Sequence, residues 1–377
     1  MDDRLGRVRA GMAEAGLDAL YVAGPVDDVF GRHSANRRYL SGFTGSAGAA
    51  VVTGERAILA VDFRYVEQAE RESAPLGFEV LRIVGRERRS FAEAVRYAGL
   101  AGKKIGLSRA DLSYQGFLAI EEAVSEMPAA ERPEVVPAPL VIEKLRARKS
   151  VAELAALQRA IDAADRAMAL VQAGIEPGET ERAVALAVER AVRECGGDGV
   201  SFETIVAGGA WGAMPHASPR NEPIRAGEPI IIDMGSRLDG YCSDLTRTFT
   251  LGETPPRFRE VYEIVYEAQR NAIERVEAGM SGRDAHDLAA SVIETRGYGE
   301  QFGHGLGHGV GLEVHEAPYL GPTSEDTLED GMVFTIEPGI YVPGWGGVRI
   351  EDVVVLENGR ARVLSHAAKL TPAGVQS

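Results

Sequence analysis

Gly227-Glu228-Pro229-Ile230-Ile231-Ile232-Asp233-Met234-Gly235 is echoed in layout by Gly331-Met332-Val333-Phe334-Thr335-Ile336-Glu337-Pro338-Gly339. In each, a glycine opens a hydrophobic run, a carboxylate stands six residues after that glycine, and a second glycine follows two residues later. A further apolar segment with another acid comes next, carrying Asp244 in the first case and Glu351 in the second. Two related hairpins that both end in carboxylates predict a pseudo-symmetric α+β domain with a largely antiparallel sheet and its site at the symmetry centre. An acid placed directly after three isoleucines is entering an apolar interior, where a lone carboxylate is costly.

The register of the first hairpin follows from its turn. Asp239-Gly240 is a strong two-residue turn signal, and a tight loop there sets Asp233 opposite Thr246 and Gly235 opposite Asp244. Asp233 and Asp244 then lie diagonally on one side of the ladder, close enough to share an ion. A slip of one residue would put them on opposite faces. In the second hairpin Val333, Thr335 and Glu337 share a face, and Glu351 lies in Val348–Leu356, read as one buried strand. Arg349 falls on the same side as Glu351, so a plain Arg349–Glu351 salt bridge competes with an ion site as the account of that acid. Three further strand-borne carboxylates favour the ion.

Five of the seven histidines fall between 216 and 315, and His304, His308 and His315 sit in one short segment. Glycine at 303, 305, 307, 309 and 311 rules out a stable helix there. In extended form the segment places His304, Leu306, His308 and Val310 on one side, with the glycines letting another backbone or a ligand approach. His216 is a weaker candidate by itself, and His33, His286 and His366 read as incidental. Four carboxylates and an imidazole suit a pair of divalent ions such as Mn²⁺, Co²⁺, Fe²⁺ or Zn²⁺ better than a thiolate zinc site. Two such ions can bridge a water and lower its pKa to give a hydroxide nucleophile, which is the logic of a hydrolase. A glycosidase using two of the acids would leave the histidine segment unexplained.

The chain has 377 residues, 41 basic against 56 acidic, for a net charge of −15. With 45% hydrophobic and 26% charged residues it is an ordinary globular composition, long enough for two cores. The acidic balance argues against nucleic acid as a partner. Two cysteines, Cys195 and Cys242, cannot build a disulfide framework and imply reduced thiols. Met1-Asp2-Asp3-Arg4 opens without an apolar signal core, and no run reaches membrane-spanning length, so a cytoplasmic protein with no membrane partner is expected. Short strands at Ala19–Ala23, Ala49–Thr53, Ala57–Val61, Phe78–Val84 and Lys104–Leu107 alternate with helical stretches, which predicts a small α/β domain over 1–138. Three prolines at 133, 137 and 139 break that pattern and mark the boundary. A second domain, 139–377, then opens on a capping box, Ser150 with Glu153.

Asp233, Asp244, His308, Glu337 and Glu351, in this order and these contexts, resemble the ligands of the pita-bread metallopeptidases. Over its whole length the chain is most similar to the proline-specific branch, the Xaa-Pro aminopeptidases and prolidases. Asn36–Gly45 and Asp62–Tyr65 resemble that branch's creatinase-like first domain. The resemblance implies a pita-bread C-terminal domain with a pseudo-twofold antiparallel sheet behind a smaller creatinase-like α/β domain. It implies two divalent ions per subunit, with Mn²⁺ ahead of Co²⁺, Zn²⁺ and Fe²⁺. Asp233 would chelate one ion, His308 and Glu337 the other, and Asp244 and Glu351 both. Glu337 would also accept a proton, with His216 and His315 acting on substrate and intermediate. His304 and Arg349 would join them in binding substrate, and Thr246 and Arg349 would support the ligands. The activity implied is Xaa-Pro aminopeptidase, with Xaa-Pro dipeptidase as alternative, on peptides with proline second and in a homodimer. Methionine aminopeptidase lacks such a first domain, and creatinase lacks these ligands. A non-catalytic peptide-binding module is the reading from another class.

Overall fold

In the computed structural model, residues 3–23, 34–84, 87–371 and 374–375 are described. His33 lies outside them. The chain divides into two compact units, Met1–Arg146 and Ala147–Ser377.

The first unit holds a six-stranded mixed sheet: β1 Ala19–Val22, β2 Ala49–Thr53, β3 Ala57–Val61, β4 Glu79–Arg82, β5 Lys104–Leu107 and β6 Glu134–Pro137, in the order β4-β3-β2-β1-β5-β6. The strand β6 occupies the proline-rich stretch that reads in sequence as a domain boundary. It lies at the sheet edge, where proline's missing N–H costs no ladder bond, and helix Val141–Ala147 follows it. Helices Arg4–Glu14, Glu87–Ala98 and Tyr114–Glu126 agree with the expected alternation. Within Asn36–Gly45, the fully buried Arg37 donates to the carbonyls of Gly45 (2.6 Å) and Gly48 (2.7 Å), pinning the turn into β2.

The second unit opens on helix Val151–Gly174, capped as its sequence predicts: Ser150 Oγ accepts from Glu153 N, and the Glu153 carboxylate accepts from Ser150 N. Two similar halves follow. In the first, Ile205–Gly208, Ile230–Met234 and Leu245–Phe249 form an antiparallel sheet, with Thr246 opposite Asp233. Asp239 and Gly240 take φ of 51° and 83°, the left-handed pair that a tight hairpin turn requires. Ile230, Ile232 and Met234 point into a core shared with helices Val151–Gly174 and Glu181–Glu194, which turns Asp233 to the other face. In the second half Val333–Ile336 pairs with Asp352–Glu357, and Phe334 and Ile336 pack towards helices Pro256–Arg275 and Gly282–Thr295. The opening glycines of the two echoes, Gly227 and Gly331, share positive φ values of 78° and 87°.

Expectation and structure part at Glu351. It lies between two strands, Gly346–Arg349 and Asp352–Glu357, rather than inside one. Ile336 pairs with Asp352 and Gly339 with Arg349, so Glu337 and Glu351 face each other across the break. The Arg349–Glu351 bridge is replaced by a bond from Arg349 to Asp233.

The halves meet along Leu245–Phe249. Thr248 Oγ1 exchanges hydrogen bonds with the backbone of Arg349, and Glu351 N donates to Thr246 O. Under this seam Arg247, 1% exposed, donates to the carbonyls of Thr246 and Glu351, to Ala367 O, and to Asp352 Oδ1 at 2.8 Å. Asp352 also accepts from Lys369 and Gln269. Removing Arg247 would leave Asp352 to Lys369 and Gln269 and take the donor from three buried backbone carbonyls. Arg247→Met should therefore cost about 3–5 kcal/mol in denaturant unfolding, and a loss below about 1 kcal/mol would show that the pair does not hold the seam.

Candidate active site

The five carboxylate and imidazole candidates converge at the seam. Thr246 Oγ1 donates to Glu351 Oε2 (2.7 Å) and accepts from Arg349 Nε (3.0 Å). Arg349 gives Nη2 to Asp233 Oδ2 (2.6 Å) and Nη1 to Tyr341 Oη (2.6 Å) and Pro215 O (3.3 Å). His308 Nε2 stands 3.2 Å from Glu337 Oε1 and 3.6 Å from Asp244 Oδ2. One ligand atom each from Asp244, His308 and Glu351 lies within 4.8 Å of the others, the spacing of a shared cation.

His308 is placed by the glycines around it. A Cβ on Gly307 would stand 2.0 Å from Thr335 O, and one on Gly309 2.0 Å from Ala317 O. The closely approaching group is thus neighbouring backbone. His308 N donates to Thr335 Oγ1, which in turn donates to Glu337 Oε1.

Burial and the other carboxylates push Asp244 well above its ordinary range. Burial with Glu337 and Asp233 does the same to Glu351, against the bond from Thr246. Asp233 is raised by burial despite Arg349. Glu337 goes the other way: burial pushes it up, but its hydrogen bond with His308 and the charges of His308 and Arg349 bring it to about 2. Among the described residues, Asp233 Oδ1 and Glu351 Oε1 are buried side-chain oxygens with no hydrogen-bond partner. Oriented lone pairs beside mutually repelling carboxylates fit divalent cations, and the oxygen-and-imidazole donor set suits hard-to-borderline metals.

The cavity above holds about 530 Å³, and its wall includes Asp233, Asp244, His308, Glu337 and Arg349. His216, His304 and His315 also line it, and Glu351, 1% exposed, does not reach the wall. The His308 and His315 rings are 4.1 Å apart. Burial and His308 lower His315, and burial lowers His304. His304 Nδ1 lies 2.7 Å from Gly305 O, which can only accept, so Nε2 presents a lone pair. His286 stacks on Phe302, and His366 meets Asp165 through its backbone N–H.

Two contributors were not singled out as site residues in the sequence. Tyr341, pushed to about 12 chiefly by burial, receives Arg349, and no pattern in the sequence marks it. Thr335 bridges His308 and Glu337, and its alternation with Glu337 was the available signal.

Residues 155–358 match the model of metallopeptidase family M24, and residues 4–148 that of the creatinase/prolidase N-terminal domain. The Xaa-Pro dipeptidase of Pyrococcus furiosus is 35% identical over 96% of this chain and 98% of its own. Among solved structures, an Xaa-Pro dipeptidase from Bacillus anthracis matches at 37% identity and TM-score 0.88, covering 97% of this chain and 98% of that one. An X-Pro aminopeptidase from Thermotoga maritima matches at 33% and 0.83, covering 95% and 97%.

The raised acids predict a pH-dependent metal effect. A carboxyl whose folded pKa exceeds its unfolded one stabilises the chelated protein at low pH and loses that contribution as pH rises through the folded value. Bound cations take the place of those protons. Glu337, near 2, stays ionised above the usual carboxylate range. The Tm gain on adding metal to chelated protein should therefore grow as pH climbs above about 4.5, with proton release visible in calorimetry. A gain flat with pH would remove Asp244 and Glu351 from the metal shell.

Proposed function

We propose, for a chain that belongs to metallopeptidase family M24 and to its Xaa-Pro peptidase type, that it removes the N-terminal residue ahead of proline using two divalent ions. Asp233 would hold one ion, His308 and Glu337 the other, and Asp244 and Glu351 both. The observation that carries this is the meeting of these five side chains, two with unpartnered buried oxygens, four of them on the wall of one cavity and Glu351 buried beside them. When bound, the ions supply Lewis acidity and a nucleophilic water ionised near neutral pH.

The chain's own groups do the rest. Arg349 and Thr246 orient Asp233 and Glu351, as partners behind metal ligands do. Glu337, ionised across the physiological range, accepts a proton and passes it to the proline nitrogen, which has no hydrogen of its own. His315, its pKa lowered by burial and by His308, and His216 stand on the cavity wall to donate to the oxygen where charge develops. His304 stands on the same wall, where it would line the substrate's pocket.

We read the site as one for peptides longer than two residues. Of its wall cations among the described residues, the Arg349 guanidinium is spent on Asp233, Tyr341, Thr246 and Pro215, while Glu203 adds a carboxylate. A free carboxylate on the proline would find no arginine or lysine other than Arg349 among the described wall residues. This supports Xaa-Pro aminopeptidase. Dipeptidase is the second reading, favoured by the names of the Pyrococcus furiosus and Bacillus anthracis proteins. The proposal extends, on the resemblance, to Mn²⁺ as the metal and to a homodimer in the cytoplasm. A chain of this length with only two cysteines, Cys195 and Cys242, suits a reducing compartment. No helix among the described residues is long and apolar enough to cross a membrane.

Hydrolysis of an Xaa-Pro dipeptide beside an Xaa-Pro-led tripeptide, with Mn²⁺, Co²⁺, Zn²⁺ or chelator, tests the assignment. The tripeptide should give the higher kcat/KM, chelator should abolish turnover, and Asp244→Ala should lower it more than about 100-fold. Cleavage of the dipeptide alone would establish the dipeptidase. Failure on both by folded, metal-loaded protein would leave the peptide-binding module.

A further inference from the structure

The loop that carries His216 is tied shut by a buried acid that the chemistry above does not use. Glu181 is the first residue of helix Glu181–Glu194 and is 1% exposed. Its Oε1 accepts from Gly208 N (2.9 Å) and Arg220 Nη2 (2.7 Å), and its Oε2 accepts from Arg220 N (2.9 Å) and Nε (2.9 Å). Gly208 ends the strand that feeds the loop, and Arg220 lies just past the loop's last wall residue, Pro219. One carboxylate therefore fastens both ends. The backbone repeats the connection: Arg182 N donates to Arg220 O and Glu181 N to Glu222 O.

Inside this clasp the loop braces itself. The Arg220 guanidinium lies 4.3 Å from the centre of the Trp211 ring, and Trp211 Nε1 donates to Ser218 O. Between Trp211 and Ser218 the chain presents Pro215, His216 and Ala217 on the cavity wall. The helix N-terminus favours a carboxylate at Glu181, and four bonds from N–H groups, two of them on a cation, offset its burial. An acid so fully engaged holds a fixed shape, and here the shape is that of the wall facing the carboxylate cluster.

We infer that Glu181 is a positioning residue: by clasping Gly208 and Arg220 it sets where His216 stands over the substrate, and so governs substrate affinity without touching substrate or metal. The inference rests on the proposed peptide substrate, and its test carries a readout that does not.

The chain has two tryptophans, Trp211 and Trp345. In a Trp345→Phe background, acrylamide quenching reports Trp211 alone. Glu181→Gln turns an amide N–H₂ towards the donors of Arg220. Arg220→Lys, at the more exposed end of the pair, keeps the charge but loses the two-pronged bond and the ring stacking. Both variants should raise quenching and raise KM for an Xaa-Pro tripeptide more than they lower kcat, with metal content per chain unchanged. Together the effects on kcat/KM should fall on the order of 10- to 100-fold. Quenching and KM at parental values in either folded variant would overturn the inference. So would a loss of metal in step with rate, because Glu181 would then act through the ligand cluster. If the parent cleaves no proline peptide, raised quenching would still support the clasp, and only the peptidase reading would fall.

Discussion

Asp244 and Glu351 are buried side by side in a cluster of four acids, and much of the second unit is arranged to make that tolerable. Like charges in a low-dielectric site repel far more than in water, and each also loses its hydration. The protein answers with geometry. Arg349 neutralises Asp233 from one side, His308 faces Glu337 from the other, and Thr246 gives its one hydroxyl hydrogen to Glu351. Asp244 and Glu351 remain the least compensated pair, which is why their protons are held most tightly and why cations are the natural completion of the site.

Pseudo-symmetry brings acids from two separate hairpins to one place without long loops. Each half puts a sheet over a pair of helices, and Asp233 leaves its strand on the face opposite the helical core. Both halves interrupt their ladder at an acid, at Asp244 between Tyr241–Cys242 and Leu245–Phe249 and at Glu351 between Gly346–Arg349 and Asp352–Glu357.

The parts legible in the sequence were those fixed by local chemistry. The Asp239-Gly240 turn determined the register that sets Asp233 opposite Thr246, because only one hairpin geometry suits two left-handed residues. Ser150 and Glu153 marked a helix start for the same kind of reason. The alternating glycines exposed the extended path through His308. Contacts distant in sequence were not legible. Nothing in Pro133–Pro139 says that a strand can lie at a sheet edge there, and Arg349 stands two residues from Glu351 yet reaches Asp233 in the other half. Glu181 and Arg220 look like surface charges until the fold brings a loop back between them.

The seam built on Arg247 and Asp352 also bears on covalent connectivity. Each half contributes one member of that buried pair, and the segment joining the halves, 250–255, supplies none of the candidate ligands. Continuity of the chain at that segment is thus not what keeps the ligands in register; the non-covalent seam does. Nicked there, the domain would remain one object, and its halves are better regarded as two mutually dependent parts than as a repeat whose copies could ever live apart.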